Sequence, residues 1–103
     1  MFAEMRIYTI QPGQMEWYLD EMRKINPVLD EHLGPLVAYF TNEFGMLNQV
    51  VSIRTYSDLM ERTTRRKTMF ADPRFKEAGK RVTPVIQRQQ NWFLQPTDFS
   101  PLR

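Results

Sequence analysis

The only histidine of this sequence, His32, is the side chain best suited to acid–base chemistry. An imidazole titrates near neutral pH, and the C-terminal end of a helix favours its charged form. His32 lies near the end of a predicted helix, on the flank of its apolar stripe. It is therefore a candidate catalytic base or ligand contact facing a cavity between helix and sheet. The alternative is a partly exposed residue that interacts with the helix end.

An arginine, Arg66, falls within the inward stripe of a second predicted helix, in line with Leu59, Thr63 and Phe70. A buried guanidinium needs an anionic or carbonyl partner. One interpretation is an anchor for a carboxylate-bearing small molecule. The other, which we favour from the sequence, is that the stem packs while the charged head reaches solvent.

Polar groups on the predicted strand faces supply the remaining candidate ligand contacts. A hydroxyl, amide, guanidinium or indole on a sheet face can bind a ligand, or it can belong to the core or an interface and find a protein partner. Both interpretations stay open for six residues: Tyr8, Tyr39, Asn48, Arg54, Tyr56 and Trp92.

Several classes of site are excluded or not predicted. Without cysteine the chain has no disulfide, thiolate nucleophile or cysteine-ligated metal. There are no paired histidines for zinc, no glycine-rich phosphate loop and no GxSxG serine motif. We therefore predict no metal and no cofactor. Nucleic acid is not predicted either, because the basic residues from Arg62 to Arg81 fall around the helices rather than on one face.

Composition indicates one globular domain over residues 1–103, with a formal net charge of +2. No apolar run approaches the ~20 residues of a membrane span. Glu4 and Arg6 interrupt the apolar N-terminal segment, which is therefore not typical of a signal peptide. We expect a cytoplasmic protein with no membrane contact.

Hydrophobic periodicity predicts the elements that would position these side chains. Phe2 to Ile10 alternates as a strand, and residues 14–33 form an amphipathic helix that Pro27 should kink or interrupt. Two strands, Leu36 to Glu43 and Asn48 to Tyr56, enclose a loop at Phe44 to Leu47.

The second half of the chain adds two helices and a strand. Ser57 or Asp58 caps a helix that runs to about Ala71, and a short helix follows Asp72-Pro73. A fourth strand covers Arg88 to Leu94, and residues 96–103 form an extended tail. The pattern predicts an α+β, ferredoxin-like βαββαβ fold with a four-stranded antiparallel sheet. Its first and third strands lie in the centre, and the polar fourth strand lies at an edge.

The hairpin from Ala38 to Tyr56 is apolar or aromatic on both faces. The helices of this fold cover one face of the sheet, and an uncovered antiparallel sheet should alternate between apolar and polar. The second face would expose a large apolar patch, which monomers rarely tolerate. We predict a homodimer with sheets packed face to face; the alternative is a monomer with scattered exposed aromatic side chains.

Several segments resemble the NIPSNAP family: RIYTI, QPG, YFTNEFGMLNQVVSIRTY and RQQNWFLQP. The resemblance runs from about Glu4 to Pro96. It implies a dimeric α/β-barrel built from two ferredoxin-like halves, and it implies no defined reaction. One departure is Arg54, because family members often carry a tryptophan near that position.

Two classes of function remain. The first is a protein that acts on a small molecule between sheet and helices, such as a cofactor-free oxygenase or isomerase. The second is a non-catalytic dimeric module that binds a metabolite or a protein partner. A cavity where His32, Arg66 and a tyrosine converge would favour the first class, and one filled by methionine and phenylalanine would favour the second.

Overall fold

Four strands and three helices follow one another in a computed structural model that describes residues 1–103. They are β1 (Phe2–Ile10), α1 (Met15–Leu33), β2 (Ala38–Thr41), β3 (Gln49–Tyr56), α2 (Leu59–Ala71), α3 (Pro73–Val82) and β4 (Ile86–Leu94). A 3-10 turn, Thr83–Val85, links α3 to β4. This order confirms the predicted α+β, ferredoxin-like fold with one extra helix.

The sheet is fully antiparallel, with strand order β2-β3-β1-β4. β1 pairs with β3 from Phe2 opposite Tyr56 to Thr9 opposite Gln49. On its other side β1 pairs with β4. β1 and β3 are therefore central and β4 lies at an edge, as predicted.

Alternation along the paired strands sorts their side chains onto two faces. The face toward the helices, here called the inner face, includes Glu4, Arg6, Tyr8, Tyr39, Ser52, Arg54 and Tyr56. The opposite, outer face includes Met5, Ile7, Phe40, Val51, Ile53 and Trp92. The helices thus cover the more polar face.

The bounds of three strands and the course of the tail differ from the sequence prediction. β2 is shorter than Leu36 to Glu43, and β3 begins after Asn48 because that residue has a φ of 61° and belongs to the turn. Asparagine is among the residues that adopt this left-handed conformation most readily. β4 begins at Ile86 rather than Arg88, directly after the 3-10 turn. The tail beyond β4 turns rather than extends, since Ser100 N–H donates to the Thr97 carbonyl at 3.2 Å.

The helix ends follow their local sequence signals. α1 is continuous through Pro27, so the proline does not interrupt it. Asp58 caps α2 by accepting a hydrogen bond from the Glu61 N–H at 2.8 Å, which decides between the two predicted caps. Asp72 caps α3 in the same way, and Pro73 follows at the first helical position.

Apolar packing is concentrated toward the two ends of β1. At one end Ile10, Tyr18, Val50 and Val82 form a buried cluster. At the other end the ring of Phe2 stacks on Phe93, with centroids 4.0 Å apart. Between these ends the inner face carries charged side chains, which the helices cover.

Each of the three helices is too short or too polar to span a bilayer.

Gly34, which follows α1, has φ 85° and ψ 172°, a conformation open almost only to glycine. A Cβ there would lie 2.9 Å from a guanidinium nitrogen of Arg65. We expect Gly34→Ala to lower the free energy of unfolding by about 2 kcal/mol, measured by urea denaturation. Gly79→Ala is the control: it lies inside α3 with nothing within 4 Å of the new Cβ, so it should stabilise by up to about 1 kcal/mol. Equal effects of the two substitutions would contradict the role of backbone strain.

Candidate functional site

A cavity of about 570 Å³ separates the inner face of the sheet from the three helices. This volume is within the roughly 300–1,000 Å³ of small-molecule sites. The helices supply a mostly apolar roof that includes Leu19, Met22, Ile25, Leu29, Met69, Phe70 and Phe75. Side chains therefore do not fill the cavity, although methionine and phenylalanine contribute to its walls.

Polar side chains of the two central strands form the floor of the cavity. β1 contributes Glu4, Arg6 and Tyr8, and β3 contributes Ser52, Arg54 and Tyr56. They face the cavity because alternate residues of a strand share one side. An apolar roof over a polar floor suits a ligand with an apolar body and a few polar groups.

Glu4, 6% exposed, is the anionic group of this floor. Its Oε2 accepts hydrogen bonds from Arg62 Nη2 at 2.6 Å and Nε at 2.9 Å, and from Asn91 at 3.2 Å. Arg6 adds an ion pair at 3.4 Å. Burial by itself raises the pKa of Glu4, but the hydrogen bonds and the nearby guanidinium groups outweigh it and lower that pKa below its usual value.

Arg54, 8% exposed, fastens β3 to the end of α1. Its Nη1 donates to Asp30 Oδ1 at 2.7 Å and to the carbonyl of Gly34, and its Nη2 donates to Asn26 Oδ1 at 2.8 Å. All of these acceptors belong to α1 or its C-terminal cap. Although Arg54 lines the cavity, its hydrogen-bonding capacity is largely used inside the protein.

Arg66 lines the cavity from α2 and has no carboxylate or carbonyl partner. Its guanidinium lies over the ring of Phe70, 5.1 Å from the centroid. Burial, followed by the charges of Arg6 and Arg62, lowers the pKa of Arg66 from its ordinary value. An arginine nevertheless stays protonated at neutral pH. Arg66 is partly buried and lines the cavity, beside a Phe70 ring that is 49% exposed. The interpretation favoured from the sequence, in which the stem packs and the head reaches solvent, stays open.

Tyrosine side chains complete the polar lining. The Tyr8 hydroxyl accepts hydrogen bonds from Arg6 at 2.7 and 3.0 Å. Burial raises the pKa of Tyr39 to about 12 and also raises those of Tyr18 and Tyr56. These phenols stay protonated at neutral pH, so they can donate hydrogen bonds to a ligand.

His32 does not line the cavity, which corrects the position expected for a catalytic base there. Its Nε2 lies 2.8 Å from Oδ2 of Asp72, at the start of α3. Arg74 pairs with Asp72 at 2.8 Å and with Glu31 at 2.7 Å. Hydrogen bonds from Arg74 and then His32 hold the pKa of Asp72 well below its usual range. His32 thus links the end of α1 to the start of α3.

Metal-ligating groups do meet at this junction, since Glu31, His32 and Asp72 offer ligand atoms within 4.8 Å of one another. Arg74 already neutralises both carboxylates. A cation would have to displace that guanidinium, so the arrangement is better suited to an ion-pair network than to a metal site.

Two other candidates also lie outside the cavity. Asn48 forms the turn before β3, and its carbonyl accepts a hydrogen bond from Ile10 N–H at 2.7 Å. Trp92 pairs with Met5 across the strands and lies on the outer face. The five candidates that line the cavity are Tyr8, Tyr39, Arg54, Tyr56 and Arg66.

The sequence reasoning missed several polar residues of the cavity: Glu4, Arg6, Tyr18, Asn26 and Ser52. A usable signal existed for β1, where Glu4, Arg6 and Tyr8 alternate on one face of a central strand. Charged side chains at such positions must have partners when they are buried. No comparable pattern marks Asn26, which lies beside Pro27 in α1.

The family model described as NIPSNAP matches residues 3–101. The chain is 33% identical over 99 residues to Protein NipSnap of Drosophila melanogaster, covering 95% of this chain and 36% of that protein. The crystal structure of a NIPSNAP family protein from Agrobacterium tumefaciens superposes with a TM-score of 0.95 at 37% identity, covering 99% of this chain and 98% of the other.

A more distant likeness concerns the fold alone. An antibiotic biosynthesis monooxygenase superposes with a TM-score of 0.67 at 12% identity, covering 94% of this chain and 99% of the other. The chain spans little more than a third of the Drosophila relative's length. Its match therefore describes one part of that longer protein.

The Glu4 network gives a test of the cavity floor. Replacing the buried carboxylate in Glu4→Gln leaves Arg62 and Arg6 without an anion, so we expect a loss of about 2–3 kcal/mol in the free energy of unfolding at pH 7. Because the folded-state pKa of Glu4 is lowered, its stabilisation is complete above about pH 4.3 and is lost as the pH falls through the folded-state pKa. The difference in the free energy of unfolding between wild type and variant should therefore become smaller below about pH 4.3.

Urea unfolding followed by circular dichroism from pH 7 to pH 2.5 measures both effects. Glu77→Gln is the matched control, since its solvent-exposed pair with Arg81 should contribute little to the free energy of unfolding. A Glu4→Gln deficit that keeps the same size across the whole pH range would contradict the assigned role of the carboxylate charge.

Proposed function

This chain belongs to the NIPSNAP family, and we propose that it binds a small organic molecule in the cavity between its sheet and helices. The observation that carries the proposal is the open volume of about 570 Å³, with an apolar roof and a polar floor. Folding ordinarily fills such space, because interiors pack at the density of organic crystals. An unfilled cavity of this size in so small a domain is best explained by a ligand.

Binding without turnover fits the charge states of the cavity better than a cofactor-free oxygenase or isomerase reaction. General acid–base catalysis works best with a group that titrates near the working pH. Here the pKa of Glu4 is lowered and the pKa of Tyr39 is raised to about 12. Neither group therefore changes its protonation state near neutral pH. His32, the sequence candidate for a base, lies outside the cavity. These features support recognition by fixed charges and hydrogen-bond donors.

Gly79 is a position where a larger side chain can fill the cavity without removing an existing side-chain contact. It lines the cavity from α3, and a Cβ at this position would meet nothing within 4 Å. We expect a metabolite screen by thermal shift to find compounds that stabilise the wild type, by about 2.7 kcal/mol at a hundred times the Kd. Gly79→Leu should abolish that stabilisation because its side chain occupies the ligand's space.

Gly79→Ala is the matched control and should retain ligand binding, since it adds a single methyl group. Both variants should keep the far-ultraviolet circular dichroism of the wild type. Ligands that stabilise Gly79→Leu as strongly as the wild type would place the binding site elsewhere and contradict the proposal.

We also propose that the outer face of the sheet is covered by a second copy of the chain. All three helices pack on the inner face, while Phe40 and Trp92 are 58% and 51% exposed on the outer one. Met5, Ile7 and Ile53 lie beside them as a continuous apolar surface. Two such sheets can pack against each other about a two-fold axis, because each presents the same surface to its partner.

Light scattering coupled to size exclusion measures the assembly directly. We expect a mass of twice 12.4 kDa for the wild type and a shift toward 12.4 kDa for Trp92→Glu, which places a charge in the proposed interface. Glu16→Lys, an exposed charge reversal on α1, is the control and should leave the mass unchanged. A wild-type mass of 12.4 kDa at every concentration would contradict the dimer.

A further inference from the structure

Three arginines of α2 illustrate two different uses of a guanidinium. Arg62 pairs with Glu4 at 2.6 Å, and Arg65 pairs with Glu61 at 2.8 Å. Arg66, the next residue, has neither an ion pair nor a hydrogen bond to the protein, although it is partly buried and lines the cavity. A cation withdrawn from water without a counter-charge is costly to keep unless something else supplies the charge.

The charge around Arg66 is also unbalanced. Arg6 and Arg62 both pair with the single carboxylate of Glu4, and both lie close enough to Arg66 to lower its pKa. Three guanidinium groups therefore lie close together, and the one carboxylate among them is already paired with Arg6 and Arg62. Arg54, another arginine of the cavity lining, pairs with Asp30 of α1 at 2.7 Å. The cavity has an excess of positive charge that no protein group neutralises.

Contacts within the protein leave the Arg66 head group available. The Cζ of Arg66 lies over the ring of Phe70, 5.1 Å from its centroid, and this cation–π contact needs no hydrogen bond from the planar guanidinium. The N–H groups point along the edge of that plane, and they are the groups that bind a carboxylate through two parallel hydrogen bonds. The contact with Phe70 thus leaves the N–H donors of Arg66 unoccupied.

We propose that the ligand of this cavity is an organic carboxylate with an apolar body, and that Arg66 binds its carboxylate group. The inference rests on the proposed binding function and specifies the chemical class of the ligand. The apolar roof of the helices contacts the body, while Arg66 and the charge excess at the floor select the anionic head. Neutral analogues bind more weakly and organic cations are repelled.

Matched acids and amides test this selection, because the two groups have nearly the same shape and differ in charge. The probes are octanoate with octanamide and naphthoate with naphthamide, titrated by calorimetry at low ionic strength. We expect each acid to bind the wild type about ten- to a hundredfold more tightly than its amide. Acetate, which has the carboxylate group but no apolar body, should compete only weakly with octanoate or naphthoate.

Arg66→Met removes the charge and keeps an unbranched side chain. The affinity of this variant for each acid should fall to its affinity for the matched amide. Its affinity for the amide should equal that of the wild type. Arg66→Lys keeps the charge but loses the two-pronged geometry, so it should retain part of the preference. Arg65→Gln is the matched control on the same helix and should bind all probes like the wild type. Unfolding curves of every variant confirm that the fold is kept.

The outcomes separate this inference from the proposed function. Equal affinities of the wild type for acid and amide, or an acid preference that survives Arg66→Met, would overturn the carboxylate assignment while leaving a binding cavity. If neither acids nor amides bind, the cavity proposal fails, and the carboxylate assignment fails with it. Weaker acid binding in Arg66→Met with unchanged amide binding would support both.

Discussion

Charged side chains on the inner face of the sheet set the main constraint on this structure. A buried charge must be paired, and Glu4 and Arg54 find their partners on the helices that cover them. Arg62 reaches down from α2 to Glu4, and Arg54 reaches up to the end of α1. Long side chains therefore span the space between the two layers. Apolar packing closes that space toward the ends of β1, and the cavity remains between them.

The fold was largely predictable because its determinants are local. Period-two alternation identified β1 and β3, and the period of the helices identified their inward stripes. The Ser57-Asp58 and Asp72-Pro73 pairs marked the helix starts. The site was less predictable because it depends on pairing across long sequence distances. Nothing local distinguishes Arg62, which finds Glu4, from Arg66, which finds no partner. His32 lies on the flank of its stripe, where a modest rotation about the helix axis decides between the cavity and Asp72.

The two faces of the sheet carry side chains of different chemical character. The inner face carries fixed charges and tyrosine hydroxyls and faces an open volume, whereas the outer face carries aliphatic and aromatic side chains and no helix. The junction of His32, Asp72 and Arg74 belongs to neither face and ties α1 to α3. Under the two proposals above, assembly and ligand recognition would use separate surfaces of the sheet.

The pairing of β1 with β4 has a consequence for biosynthesis. Residues near the beginning of the chain, such as Ala3, bond across the strands to residues near its end, such as Leu94. Closing so long a loop is slow, since chain entropy is lost before the contacts form. During translation β1 can pair with β3 but must wait for β4 to emerge from the ribosome. Until then one side of the central strand is an unpaired edge, the kind of surface that promotes aggregation of incompletely folded chains.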